Sequence, residues 1–162
     1  MKAYIVDPFT REVYATEYNG DYETISKHIG GSCRMFDAVR LYHTADTGET
    51  LYDHVDDHVY IDDEGLYVDD QYFWMHANYP MPLAGRGLIL GGTPDGDSTN
   101  VSTKMATVME DIRMIGNRFQ LQMMLAFAKA ETLTVSPDGY AEDYRPFVWK
   151  HHKAPSIMQE AI

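Results

Sequence analysis

The chain has one cysteine, Cys33, among its 162 residues, which excludes an intramolecular disulfide and fits a reducing compartment. No apolar run approaches the ~20 residues that span a bilayer. The first residues, Met1-Lys2-Ala3-Tyr4-Ile5-Val6-Asp7-Pro8, reach an acid and a proline too early for a secretory signal. A cytoplasmic location is the expectation. No Gly-Lys-Ser/Thr follows the glycines, so there is no P-loop, and no Gly-x-Ser-x-Gly marks a hydrolase elbow. The most informative scarcity is of positive charge: between Leu41 and Gly85 there is not one Lys or Arg.

That window holds ten carboxylates instead: Asp46, Glu49, Asp53, Asp56, Asp57, Asp62, Asp63, Glu64, Asp69 and Asp70. They supply most of the formal net charge of −12, because the 15 acids outside the window nearly balance 13 bases. The same window carries Tyr42, Tyr52, Tyr60, Tyr67, Tyr72, Phe73, Trp74 and Tyr79. An acidic stretch this rich in aromatics can bury a face, so it reads as folded rather than as a disordered acidic tail. Fixed carboxylates would repel phosphate, which argues against direct binding to nucleic acid or an anionic membrane and favours a basic protein partner.

The length and the 44% hydrophobic content suit one core. Residues 2–6 alternate, Asp7-Pro8-Phe9 turns, and residues 12–18 read as a return strand, a hairpin signal. Asp21 can cap a helix running to His28 and ended by Gly30-Gly31. Strands are expected at 36–42, 51–55, 58–61, 66–68 and 72–75, with turns at 47–49 and at Asp56-Asp57. Residues 79–85 read as an irregular bend and 87–90 as a buried strand. The cluster Gly91-Gly92-Thr93-Pro94-Asp95-Gly96-Asp97-Ser98 is the clearest breaker, and a module boundary is placed there. Beyond it Val101, Met105, Val108, Met109, Ile112 and Ile115 fall on one helical stripe. Gly116-Asn117 stops or kinks it before 119–130 continues as helix or strand. The proline-containing end reads as loop with a short strand at 147–149. The expected fold is α+β: a small, mainly antiparallel sheet with one N-terminal helix (residues 1–92), and a helical C-terminal appendix (residues 93–162) packing on it.

Three segments in order carry a resemblance: the N-terminal Met1-Lys2-Ala3-Tyr4-Ile5-Val6-Asp7-Pro8, then Tyr60-Ile61-Asp62-Asp63-Glu64-Gly65-Leu66, then Pro82-Leu83-Ala84-Gly85-Arg86-Gly87-Leu88-Ile89-Leu90-Gly91. Over residues 1–92 the chain resembles a small domain of unknown function found in bacteriophages and mobile elements. The resemblance implies a compact α+β fold of phage or plasmid origin, acting in a bacterial host cell. It brings no agreed activity and no catalytic residues.

The chemistry-bearing patterns divide between sharp and plain readings. His54, Asp56 and His58 alternate and are metal-ligand types, but the Asp-Asp turn would break their face, and a solvated polar surface is the plainer reading. Asp62-Asp63-Glu64-Gly65 lacks the first and twelfth acids of a calcium loop. Gly85, Arg86 and Gly87 could cradle a phosphate of a nucleotide signal; a glycine-flanked core strand is the plainer alternative. Cys33 lies just past a helix C-terminus, where the dipole raises a thiol pKa. The Met-rich stripe at Met105, Met109, Met114, Met123 and Met124 suits core packing or a homodimer seam, or else an adaptable groove.

The acids are weighed against ordinary solubilising surface, and the reading adopted is a non-catalytic accessory protein. It would bind and block a basic surface of a host nucleic-acid-handling or defence protein, in part by matching DNA charge density. The expected contact residues are Asp53, Asp56, Asp57, Asp62, Asp63, Glu64, Asp69 and Asp70, with Tyr60, Tyr67 and Trp74 as apolar anchors. No cofactor is expected. The rival reading is a sponge for a nucleotide signal, with Gly85, Arg86 and Gly87 as its pocket.

Overall fold

A computed structural model of the chain describes residues 1–31, 33–43 and 56–131. The expected turn at 47–49, the strands at 51–55 and 147–149, and the contact or ligand residues Asp53 and His54 lie outside the described residues.

The architecture is mixed α+β with mostly antiparallel sheets. β1 (Lys2–Asp7) and β2 (Glu12–Glu17) form the expected hairpin, in register from Lys2 opposite Glu17 to Asp7 opposite Glu12. Asp21 caps the next turn by accepting from the Glu23 amide, and α1 (Ile25–Ile29) ends at Gly30, whose φ of +76° suits glycine. β3 (Phe36–His43) pairs with β4 (Asp56–Asp62), and β7 (Gly87–Gly92) inserts between β4 and β1. With β8 (Ser98–Thr99) on β7, this makes a six-stranded sheet in the order β2-β1-β7-β4-β3. A second sheet, β6-β5-β9, comprises β6 (Tyr79–Ala84), β5 (Tyr72–His76) and β9 (Ile112–Asn117). α2 (Met105–Asp111) precedes β9, and α3 (Arg118–Glu131) follows it.

Side-chain alternation explains the layering. Tyr4, Val6, Leu41, Val59 and Ile89 of the large sheet meet Trp74, Leu83, Ile112 and Met114 of the small one, together with Val108 of α2. Ala3, Ile5, Leu88 and Leu90 point the other way, onto Ile25 and Ile29 of α1. Phe73, Met75 and Ile115 pack against Leu121, Met124 and Ala128 of α3. Strands buried on both faces need continuous apolar runs such as Leu88-Ile89-Leu90, which is why that run is legible as a core strand.

Four local expectations are corrected. Asp56 and Asp57 lie within β4, not in a hairpin turn. Residues 66–68 do not form a strand: Gly65–Tyr67 is a 3-10 turn, as the flanking Asp-Asp pairs and Gly65 favour. The bend expected at 79–85 is strand β6, whose Pro80 and Pro82 are tolerated because β6 is an edge strand. The helical stripe of 101–115 splits after Asp111. Ile112 and Met114 enter the inter-sheet core while Ile115 faces α3, so a two-residue period and pairing with β5 override the helical spacing.

Candidate functional site

Two surfaces on the same end of β4 hold the polar chemistry. The first is the connection from β4 to β5, residues 62–71. Asp62 Oδ1 accepts from the Glu64 amide at 3.0 Å and Gln71 Nε2 donates to the Gly65 carbonyl at 2.8 Å, which fold the segment on itself. Asp70 sits at φ +55°, a left-handed conformation that aspartate tolerates better than most residues. Arg118, the first residue of α3, donates through Nη2 to the carbonyls of Leu66 (2.8 Å) and Val68 (3.3 Å). Its guanidinium also lies 5.3 Å from the ring centre of Phe73. Those hydrogen bonds go to carbonyls, not carboxylates. Among the described residues, Asp62, Asp63, Glu64, Asp69 and Asp70 take part in no ion pair. Tyr67 stands out at 86% exposure, beside a half-exposed Leu66.

The second is a cleft of about 230 Å³ lined by Phe9, Ile29, Gly30, Gly31, Asp62, Val68, Gln71, Gly85 and Arg86. Buried Asp7 anchors it: Oδ1 accepts from the Phe9 and Thr10 amides, and Oδ2 accepts from Arg86 Nε at 2.8 Å. The acidic turn therefore forms one wall of the cleft, since Asp62 and Val68 belong to both.

The expected contact residues do not all share a surface. Asp57 and Trp74 are both 0% exposed. Asp57 accepts from the amides of Ser102 (3.0 Å) and Thr103 (2.7 Å) and from the Thr103 hydroxyl, pinning the chain ahead of α2 to the large sheet. Trp74 Nε1 donates to the Gly85 carbonyl at 2.9 Å in the core. Neither can serve as a surface contact. Asp56 is paired with Arg40 at 3.1 Å, and Tyr60 is half-buried against Phe36. Gly87 is absent from the cleft lining and belongs to the core. Of the expected residues, Asp62, Asp63, Glu64, Tyr67, Asp69 and Asp70 share the one turn, with Gly85 and Arg86 in the adjoining cleft.

No family model, curated protein or solved structure matches this chain. Two of the segments behind the expected resemblance border the site. Residues 60–66 lead from β4 into the acidic turn, and residues 82–91 run from β6 through the cleft to β7.

Other polar groups are accounted for as structure. His58 Nε2 lies 3.8 Å from Asp56, and among the described residues no three His, Cys, Asp or Glu side chains gather as metal ligands. The Cys33 thiol pKa is pushed up to about 11, by burial first and then by the charge of Asp62; its Sγ donates to the Met35 carbonyl. A part-buried chain that the sequence did not announce joins three elements. The Asn78 amide donates to His76 Nδ1 (3.0 Å), so the ring proton sits on Nε2 and is donated to the Tyr42 hydroxyl (2.9 Å). Tyr42 in turn donates to Asp111 Oδ2 at 2.8 Å. Residues 42, 76 and 111 have no spacing signature, because only the sheet packing brings them together. The Asp7–Arg86 pair was hidden for the same reason.

Proposed function

We propose that the protein is a non-catalytic binding protein whose acidic turn, residues 62–70, engages and blocks a basic surface of a nucleic-acid-handling protein of its host. One observation carries this reading: five carboxylates without an ion-pair partner among the described residues flank an exposed Tyr67 along a turn that Arg118 holds in shape. Fixed charges lose less entropy on binding than flexible ones and steer a basic partner, and an exposed tyrosine is a common interface anchor. At one charge per ~1.7 Å of duplex, five charges match roughly 8 Å of DNA. The described acids thus form a compact plug for a basic pocket rather than a strand-long copy of a duplex. A nucleic-acid-handling defence enzyme is the kind of target this reading expects.

The test is capture from bacterial lysate on the immobilised full-length protein at low salt, eluted by a salt gradient. A discrete nucleic-acid-binding protein should leave at moderate salt and be lost from a variant carrying Asp63→Asn, Glu64→Gln, Asp69→Asn and Asp70→Asn. An identical eluate from that variant would refute the reading.

A further inference from the structure

The cleft beside the acidic turn offers more than a lone arginine. Arg86 spends only Nε on Asp7. Among the described residues its Nη1 and Nη2 have no hydrogen-bond partner, and 38% of the side chain is exposed. Because Asp7 also caps the β1–β2 turn and is itself buried, the guanidinium is held in one orientation. Glycines keep the space open. A Cβ at Gly30 would stand 3.4 Å from Arg86 Nη1, and one at Gly85 would stand 3.4 Å from the Gln71 amide. Asp62 also lines the cleft, yet its carboxylate is not paired with Arg86. Phe9, Ile29 and Val68 supply the apolar part of the lining.

A polyphosphate fits this poorly, since Asp62 would repel it and Asp7 already pairs with the Arg86 charge. The volume of about 230 Å³ lies below the ~300–1,000 Å³ of clefts that take drug-sized ligands. We infer that the cleft binds a free α-amino acid with an apolar side chain. Its carboxylate would meet the Nη groups of Arg86, its ammonium Asp62, and its side chain Phe9, Ile29 and Val68. Arg–carboxylate recognition is among the stronger charge-assisted contacts, and the opposite charge on Asp62 selects zwitterions over simple acids. This inference does not depend on the partner-binding reading.

The test is calorimetric titration of the full-length protein with L-leucine, 4-methylpentanoate, 3-methylbutylamine, inorganic phosphate and AMP, each to about 10 mM, supported by ligand-induced shifts in Tm. L-Leucine should bind, and the two analogues lacking one charge should bind at least about tenfold more weakly. Arg86→Ala should abolish binding. Asp62→Asn should weaken it by a similar factor while keeping the oxygen that accepts from the Glu64 amide, so that loss of folding cannot mimic loss of binding. Failure of L-leucine to bind, equal binding of 4-methylpentanoate, or undiminished binding by Asp62→Asn would overturn the inference. A response to phosphate or AMP alone would overturn it too, in favour of an anion site.

Discussion

Trp74 lies directly beneath Gly87: a Cβ at position 87 would come within 2.9 Å of the indole Cζ2 and 2.5 Å of Val59 Cγ2. The two sheets meet here, and the absence of a side chain on β7 lets the largest core residue slide under the strand. Gly87→Ala should therefore lose about 1–3 kcal/mol, the usual cost of overpacking a filled core. Urea denaturation followed by Trp fluorescence measures it. A loss below about 0.5 kcal/mol, the scale of ordinary surface substitutions, would show that the indole moves aside freely.

Asp57 gives a second, separable test. Its carboxylate accepts three hydrogen bonds from Ser102 and Thr103 with no exposure to solvent. Asp57→Ala should cost about 1–3 kcal/mol, because two part-buried amides and a hydroxyl lose their acceptor. Asp57→Asn, which keeps one acceptor oxygen, should cost less. Neither change should alter the salt dependence of partner binding once the protein is folded, which separates this acid from those of the 62–70 turn. A binding defect in folded Asp57→Asn would mean that the contact surface extends to β4.

How much of this was legible follows from the range over which each signal acts. The β1–β2 hairpin, the Asp21 cap, the Gly30 stop and the core strand at Leu88-Ile89-Leu90 rest on neighbours in sequence and read correctly. The split at Ile112 did not read, because Val101 to Ile115 satisfies a helical period while the deciding force is pairing with β5. Composition located the acidic surface but could not sort it: Asp57 and Asp63 look alike in sequence, yet one is a buried staple and the other is exposed. The partners Asp7 and Arg86, 79 residues apart, meet only because β7 inserts beside β1.

The buried His76 makes stability pH-dependent in a defined direction. Burial lowers its pKa to about 4 from an ordinary 6.5, against a weaker upward pull from Asp111. The unfolded chain thus binds the proton more readily than the folded one between those two values. The contribution is fully present above pH 6.5 and is lost as pH falls toward 4, amounting to up to about 3 kcal/mol. Urea midpoints at pH 7, 6, 5 and 4 should fall more steeply in the wild type than in His76→Phe, whatever the absolute stability of the variant. Parallel curves would show that the ring is not held neutral. The Tyr42 hydroxyl, whose pKa is raised by burial and then by Asp111, stays protonated throughout and serves only as the link.

The last prediction concerns the part of the molecule on which function is proposed to rest. Arg118 reaches back from α3 to the Leu66 and Val68 carbonyls and covers the face of Phe73. It fixes the acidic turn without neutralising any of its carboxylates. Arg118→Ala removes an exposed cation, so global stability should change by no more than about 1 kcal/mol. Local order should suffer more. Amide exchange at Tyr67 and Val68, whose N–H groups bond to Glu64 and Gly65 within the turn, should quicken several-fold while β5 and β7 keep their protection. If the turn works as a preorganised plug, partner affinity should drop although five carboxylates remain and net charge has become more negative. An affinity that rises instead would mean that bulk charge, not the shape Arg118 imposes, attracts the partner.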